Sequence, residues 1–182
     1  LTLLATASVC ARWDDGDAGL PTLRTIGPLR SSVTGGLSIV QDARGRLYIT
    51  DDHVWEYDGV ALTKIPIGDG DAVRALDIDE HGRIWCGLVN DLGCIEEDTT
   101  GFRTFRSLRA HLPPQSGPFQ VWGVHHREGR TMFVCDASVL IWDGRDFEVR
   151  PMPVERRLFS FESDGNVYLS QPGTGLWRWD GV

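Results

Sequence analysis

A glycine-centred turn recurs four times along this chain, each time leading into a short strand and then a second strand that closes on an acidic residue with glycine. Asp42-Ala-Arg-Gly45 precedes Leu47-Tyr48-Ile49 and, further on, Tyr57-Asp58-Gly59. Asp79-Glu-His-Gly82 precedes Ile84-Trp85-Cys86, with Asp98-Thr-Thr-Gly101 behind it. His126-Arg-Glu-Gly129 precedes Met132-Phe133-Val134 and Trp142-Asp143-Gly144, and Ser163-Asp-Gly165 precedes Val167-Tyr168-Leu169 and Trp179-Asp180-Gly181. The turn glycines fall 37, 47 and 36 residues apart. A period of this length identifies stacked supersecondary units.

The unit follows from local physics. Runs such as Leu37-Ser-Ile39-Val40 and Val73-Arg-Ala75-Leu76 are β-prone, and each reaches a turn whose glycine supplies the positive φ of a tight hairpin. Alternation then sets one aromatic, Tyr48, Trp85, Phe133 or Tyr168, between neighbours on the opposite face, which predicts a column of four equivalent, largely buried rings. A third strand ending near Asp-Gly and a fourth containing Phe105 or Phe147 complete a sheet of about 40 residues, the size of a β-propeller blade. The expected fold is all-β: four-stranded antiparallel blades in an incomplete arc of about four, with residues 24–182 forming part of a larger ring.

Residues 1–11 are apolar and end in Val9-Cys10-Ala11, the small-x-Ala pattern that precedes a cleavage site. They read as the remnant of a signal peptide, with a first strand of the fold as the alternative; residues 12–23, acidic and glycine-rich, read as a linker. An exported module on the periplasmic or extracellular side is the expectation. The formal net charge of −8 without a basic run argues against a nucleic-acid groove, and no apolar stretch is long enough to span a membrane. With Cys10 assigned to the leader, Cys86, Cys94 and Cys135 remain. A Cys86–Cys94 disulfide across a hairpin near Asn90 and two small buried hydrophobes are both open readings.

Signals for catalysis are thin. His125-His126 lies on one strand, where successive side chains point to opposite faces and cannot share a metal. Asp77-Ile-Asp79-Glu-His-Gly82 lacks the ligand pattern of a calcium loop, and no nucleophile elbow, phosphate loop or cofactor fingerprint is present. No catalytic, cofactor or metal residue is assigned. Propellers collect function at the channel end, where turns between second and third strands meet the inter-blade connections. The candidate ligand-binding residues are therefore Asp51, Asp52, His53, Asn90, Asp91, Asp136 and Gln171. The proline-rich connection from Arg109 to Pro118 is expected to overhang the same face.

The repeat resembles that of the two-component regulator propellers: a hydrophobic strand, then Gln41-Asp42-Ala-Arg-Gly45, an aromatic strand and Tyr57-Asp58-Gly59. Gly27-Pro28, Asn90-Asp91-Leu92-Gly93-Cys94-Ile95, Ser107-Leu108, Leu112-Pro113 and Val121-Trp122-Gly-Val are similar to the periplasmic members that precede a triple-tyrosine domain. The resemblance implies an extracytoplasmic sensor. It further implies an extracellular or periplasmic ligand of the carbohydrate class, a histidine kinase, diguanylate cyclase or DNA-binding output outside this chain, anchorage of the full-length protein in the inner membrane, and a homodimer as its expected state. A secreted propeller enzyme acting on polysaccharides and a non-catalytic protein-binding scaffold are the alternatives.

Overall fold

Strand, turn and strand repeat in the computed structural model with the predicted period. It describes residues 38–68, 72–153, 157–171, 173 and 175–180. The expected signal remnant, the linker, Cys10 and Gly27-Pro28 lie outside the described residues.

The first blade holds β1 (Ile39–Gln41), β2 (Leu47–Thr50), β3 (Val54–Tyr57) and β4 (Leu62–Ile65). The second holds β5 (Val73–Ile78), β6 (Ile84–Leu88), β7 (Leu92–Glu97) and β8 (Arg103–Ser107). The third holds β9 (Val121–Arg127), β10 (Arg130–Cys135), β11 (Ser138–Trp142) and β12 (Phe147–Pro151). The fourth shows β13 (Phe159–Ser163), β14 (Asn166–Gln171) and β15 (Gly175–Trp179). Every sheet is antiparallel, with strands ordered as in the sequence. The inner strands pack in succession, β1 on β5, β5 on β9 and β9 on β13.

Burial between blades supplies the cohesion. Tyr48, Val54 and Ile65 of the first blade meet Leu76, Ile84, Cys86 and Leu88 of the second. Trp85, Leu92 and Cys94 meet Val121, Val124, Phe133 and Leu140 of the third. Met132, Val134, Val139 and Ile141 meet Val167 and Leu169 of the fourth.

The predicted aromatic column holds only in part. Tyr48 and Trp85 both face the following blade and are buried. Phe133 is buried too, but it faces the preceding blade; Met132 occupies the position matching Tyr48 and Trp85. The spacing from turn glycine to ring is the cause: Tyr48, Trp85 and Tyr168 follow their glycines by three residues and Phe133 follows Gly129 by four, which exchanges the faces. Arg127 pairs with Arg130 and Ser163 with Asn166, so these turns contain two residues, Glu128-Gly129 and Asp164-Gly165, all at positive φ as a type I′ hairpin demands. In the first two blades a longer loop separates the strands. Tyr168 keeps the frame but stays half-buried, its ring stacked on exposed Phe161 at 5.4 Å.

The longer loops explain the Asp-x-x-Gly-x-x-aromatic spacing. Asp79 Oδ1 accepts hydrogen bonds from the His81 and Arg83 amides, at 2.9 and 2.8 Å, while Oδ2 accepts one from the Trp85 indole N–H at 3.1 Å. Asp42 does the same for Arg44, Arg46 and the Tyr48 hydroxyl. One carboxylate thus closes the turn and satisfies the polar tip of the buried ring. Replacing Asp79 by Ala is expected to cost about 1–3 kcal/mol, since the indole N–H is left buried without an acceptor. Asp146→Ala, at an exposed turn, should be near neutral; urea titration of both variants checks the contrast.

The cysteines settle as small hydrophobes. Cys94 pairs with Trp85 and Cys86 with Gly93, which puts the two thiols on opposite faces of one sheet. Cys86, Cys94 and Cys135 are free and buried, and burial pushes the Cys135 thiol up to about 12. The connection after β8 forms two 3-10 turns, Arg109–His111 and Pro114–Ser116. Leu108 and Leu112 join the core between the second and third blades, and the His111 ring meets Trp142 edge-on at 5.1 Å. This segment packs against the core between those blades through its leucines, while Arg109 reaches the Asn90 turn.

Candidate ligand-binding site

Because the strands alternate in direction, the β2–β3, β6–β7, β10–β11 and β14–β15 turns share one end of the molecule with the inter-blade connections. The candidate residues do lie at that end, and most of their polar atoms are engaged in shaping it. Asp51 is buried and accepts a hydrogen bond from the His53 amide at 2.7 Å. Asp52 is half-buried and His53 exposed in the same turn. Gln171 is buried at the end of β14.

The second and third blades are joined through their connection. Asn90 sits at φ 58, and its Oδ1 accepts a hydrogen bond from the Phe119 amide at 3.1 Å while its own amide donates to the Phe119 carbonyl at 2.8 Å. Arg109 Nη1 donates to the Asn90 carbonyl. Asp91 Oδ1 accepts from Leu92 N at 2.7 Å and from the Ser107 hydroxyl at 2.6 Å. Asp136 accepts from Gln120 N at 3.1 Å and from the Trp122 indole at 2.6 Å. Asn90, Asp91 and Asp136 therefore converge on one connection, whereas Asp51 and His53 form a separate turn in the first blade. The result is a rim whose loops are held before any ligand arrives.

The opposite end carries chemistry that sequence reasoning missed. Asp77 on β5 accepts a hydrogen bond from the His126 amide at 2.5 Å, and burial raises its carboxyl. His126 Nε2 lies 3.1 Å from Glu80 Oε2 of the second blade, Nδ1 lies 2.8 Å from the Thr131 hydroxyl, and the ring stacks on Trp85. His125 turns the other way, its Nε2 hydrogen-bonded to the Ser160 hydroxyl of the fourth blade at 2.8 Å. The two imidazoles thus serve two different blade interfaces, as alternation on one strand requires. Among the described residues, no three His, Cys, Asp or Glu side chains gather where a metal could be held.

Burial lowers His125 from its ordinary value of 6.5 to about 4. The unfolded chain gains a proton as pH falls below about 6.5, and the folded one does not until about 4. This contribution is complete above 6.5 and lost on acidification, by about 3 kcal/mol. His125→Gln should flatten that part of the pH dependence. Unfolding free energies at pH 7 and pH 4.5, compared between variant and parent, provide the check.

Beside His125, a cleft of about 570 Å³ opens between the third and fourth blades, with Met132, Ile141 and Val167 in its wall. Arg127, Arg130 and Arg178 also line it. These residues could be read from the sequence, but their gathering around one cleft could not: the fourth blade is brought to β9 and β10 only by packing.

No family model matches the chain, and no curated protein matches it. Among solved structures it is similar to a protein described as a "putative gluconolactonase", with 14% identity and a TM-score of 0.57 over 77% of this chain and 56% of that one. It is also similar to virginiamycin B lyase from Staphylococcus aureus, with 16% identity and a TM-score of 0.59 over 80% of this chain and 55% of that one. The chain spans somewhat more than half the length of these structures. At such identities the likeness speaks to architecture, and with the four antiparallel sheets it establishes the fold as a β-propeller.

Proposed function

We propose that the chain is the ligand-sensing propeller of a bacterial transmembrane signalling protein, facing the periplasm or the exterior, with its output region outside these residues. The supporting observation is the internally hydrogen-bonded rim: Asp51, Asp91 and Asp136 hold loop amides, an indole and a hydroxyl. Carboxylates so engaged suit a rigid recognition surface better than an acid and base pair, which needs carboxyl groups free to exchange protons with substrate. The resemblance of Gln41-Asp42-Ala-Arg-Gly45 and Tyr57-Asp58-Gly59 to sensor propellers points the same way. Carbohydrate is the expected ligand class, recognition without turnover the expected activity of this chain, and a homodimer the expected state of the full-length protein.

The test uses the full-length protein in its host. Transcript levels are followed after exposure to a panel of oligosaccharides, in the parent and in a strain carrying Asp52→Asn with His53→Ala. A response to one oligosaccharide that the double variant loses supports the reading. An unchanged response in a strain lacking the protein contradicts it.

A further inference from the structure

We propose that the cleft between the third and fourth blades binds a small ring-bearing organic anion, either a carboxylate or a phosphate ester. This site lies at the end opposite the rim and is independent of it. Arg127 and Arg130 are direct cross-strand partners flanking the two-residue turn, so their side chains share one face, and both line the cleft. Like charges placed opposite each other cost stability in a sheet. Among the described residues neither guanidinium lies within ion-pair distance of a carboxylate; Arg130 acts on Asp143 through space, and Glu128 of the intervening turn also lines the cleft. An anion seated between them removes the repulsion and offers planar oxygens to two forks of donors.

Reach and shape agree with this. Arg127 extends toward the fourth blade, where a Cβ at Gly165 would lie 3.6 Å from its Nη2. On the fourth blade Arg178 pairs across the strands with Tyr168 and is held to Asp180 at 2.7 Å, so the positive charge of the cleft rests on Arg127 and Arg130. The walls below are apolar, with Met132, Ile141 and Val167, and the Trp179 ring, under the Arg150 guanidinium at 5.5 Å, lines one side. His125 remains neutral near pH 7 and presents an imidazole that can bond a hydroxyl. A volume of about 570 Å³ falls within the range of small-molecule sites. In a chain of net charge −8, anions are repelled overall, so capture at this cleft would be local.

The experiment is calorimetric titration of the chain at low salt with glucuronate, glucose 6-phosphate, neutral glucose and inorganic phosphate. Saturable binding is expected for glucuronate or glucose 6-phosphate, and which of the two binds more tightly identifies the anionic group. Affinity should fall about tenfold or more in Arg127→Gln with Arg130→Gln, and stay unchanged in the exposed control Arg145→Gln. Because the double variant relieves a repulsion, its urea midpoint should equal or exceed that of the parent. Binding of glucose as tight as glucuronate, phosphate binding as tight as glucose 6-phosphate, no binding of either sugar anion, or binding indifferent to the double substitution would each overturn the proposal. Loss of rim-dependent signalling leaves these titrations unaffected.

Discussion

Gly93→Ala is expected to lower the unfolding free energy by more than about 3 kcal/mol, a large effect for adding one methyl group. Gly93 sits in β7, directly opposite Ser107 of β8. A Cβ there would lie 2.0 Å from the Arg106 carbonyl oxygen and 3.0 Å from Phe105 Cε2. The obstruction is mainly backbone, so a rotamer change cannot relieve it; the outer hairpin of the second blade must shift, and Leu92 and Cys94 on either side are buried in the core. Gly129 provides the contrast. Its Cβ would meet open space, and the cost of Gly129→Ala is the conformational one of φ 75, about 1 kcal/mol. Urea titrations that rank Gly129→Ala at or above Gly93→Ala would refute the close-approach argument.

Phe133→Ala should cost about 3–5 kcal/mol, as expected for emptying the site of a fully buried ring. Phe133 is 0% exposed and meets the rings of Trp85 at 6.3 Å and Phe147 at 6.2 Å, closing the interface between the second and third blades. Tyr168→Ala should cost only about 1 kcal/mol, because that ring is half-buried and rests on exposed Phe161. The sequence pattern treats the two rings as equivalent and predicts similar losses. Equal destabilisation would therefore argue for the simple column and against the register described above.

These two residues show where sequence reading succeeds and where it stops. Gly45 and Gly82 mark the turns because positive φ is a local demand, and at φ 83 and 79 both meet it. Replacing either by a β-branched residue should cost about 1–3 kcal/mol by denaturant titration. The face of Phe133 is different: the ring stands four residues past Gly129 where the others stand three past their glycines, and alternation turns that one-residue offset into the opposite face. Cys86 and Cys94 were visible as neighbours across a hairpin, yet opposite faces follow from a register that no local signal fixes. The turns carrying Asp51, Asn90, Asp91 and Asp136 were legible as one end of the blades from strand alternation. Their hydrogen bonds to Phe119, Gln120, Trp122 and Ser107 were not, since those depend on the path of the long connection. The arginine cleft is least legible of all, because Arg127 and Val167 are distant in sequence and are brought to one cleft only through the packing of two sheets.

Recognition without conversion is the central claim, and one mixture tests it directly. Oligosaccharides are titrated into the chain by calorimetry, and the same samples are then analysed by mass spectrometry after prolonged incubation. Saturable heat with every ligand recovered at its original mass is the predicted result. Hydrolysis, lactone opening or elimination, catalysed in proportion to the concentration of the chain and abolished by heat denaturation, would contradict it.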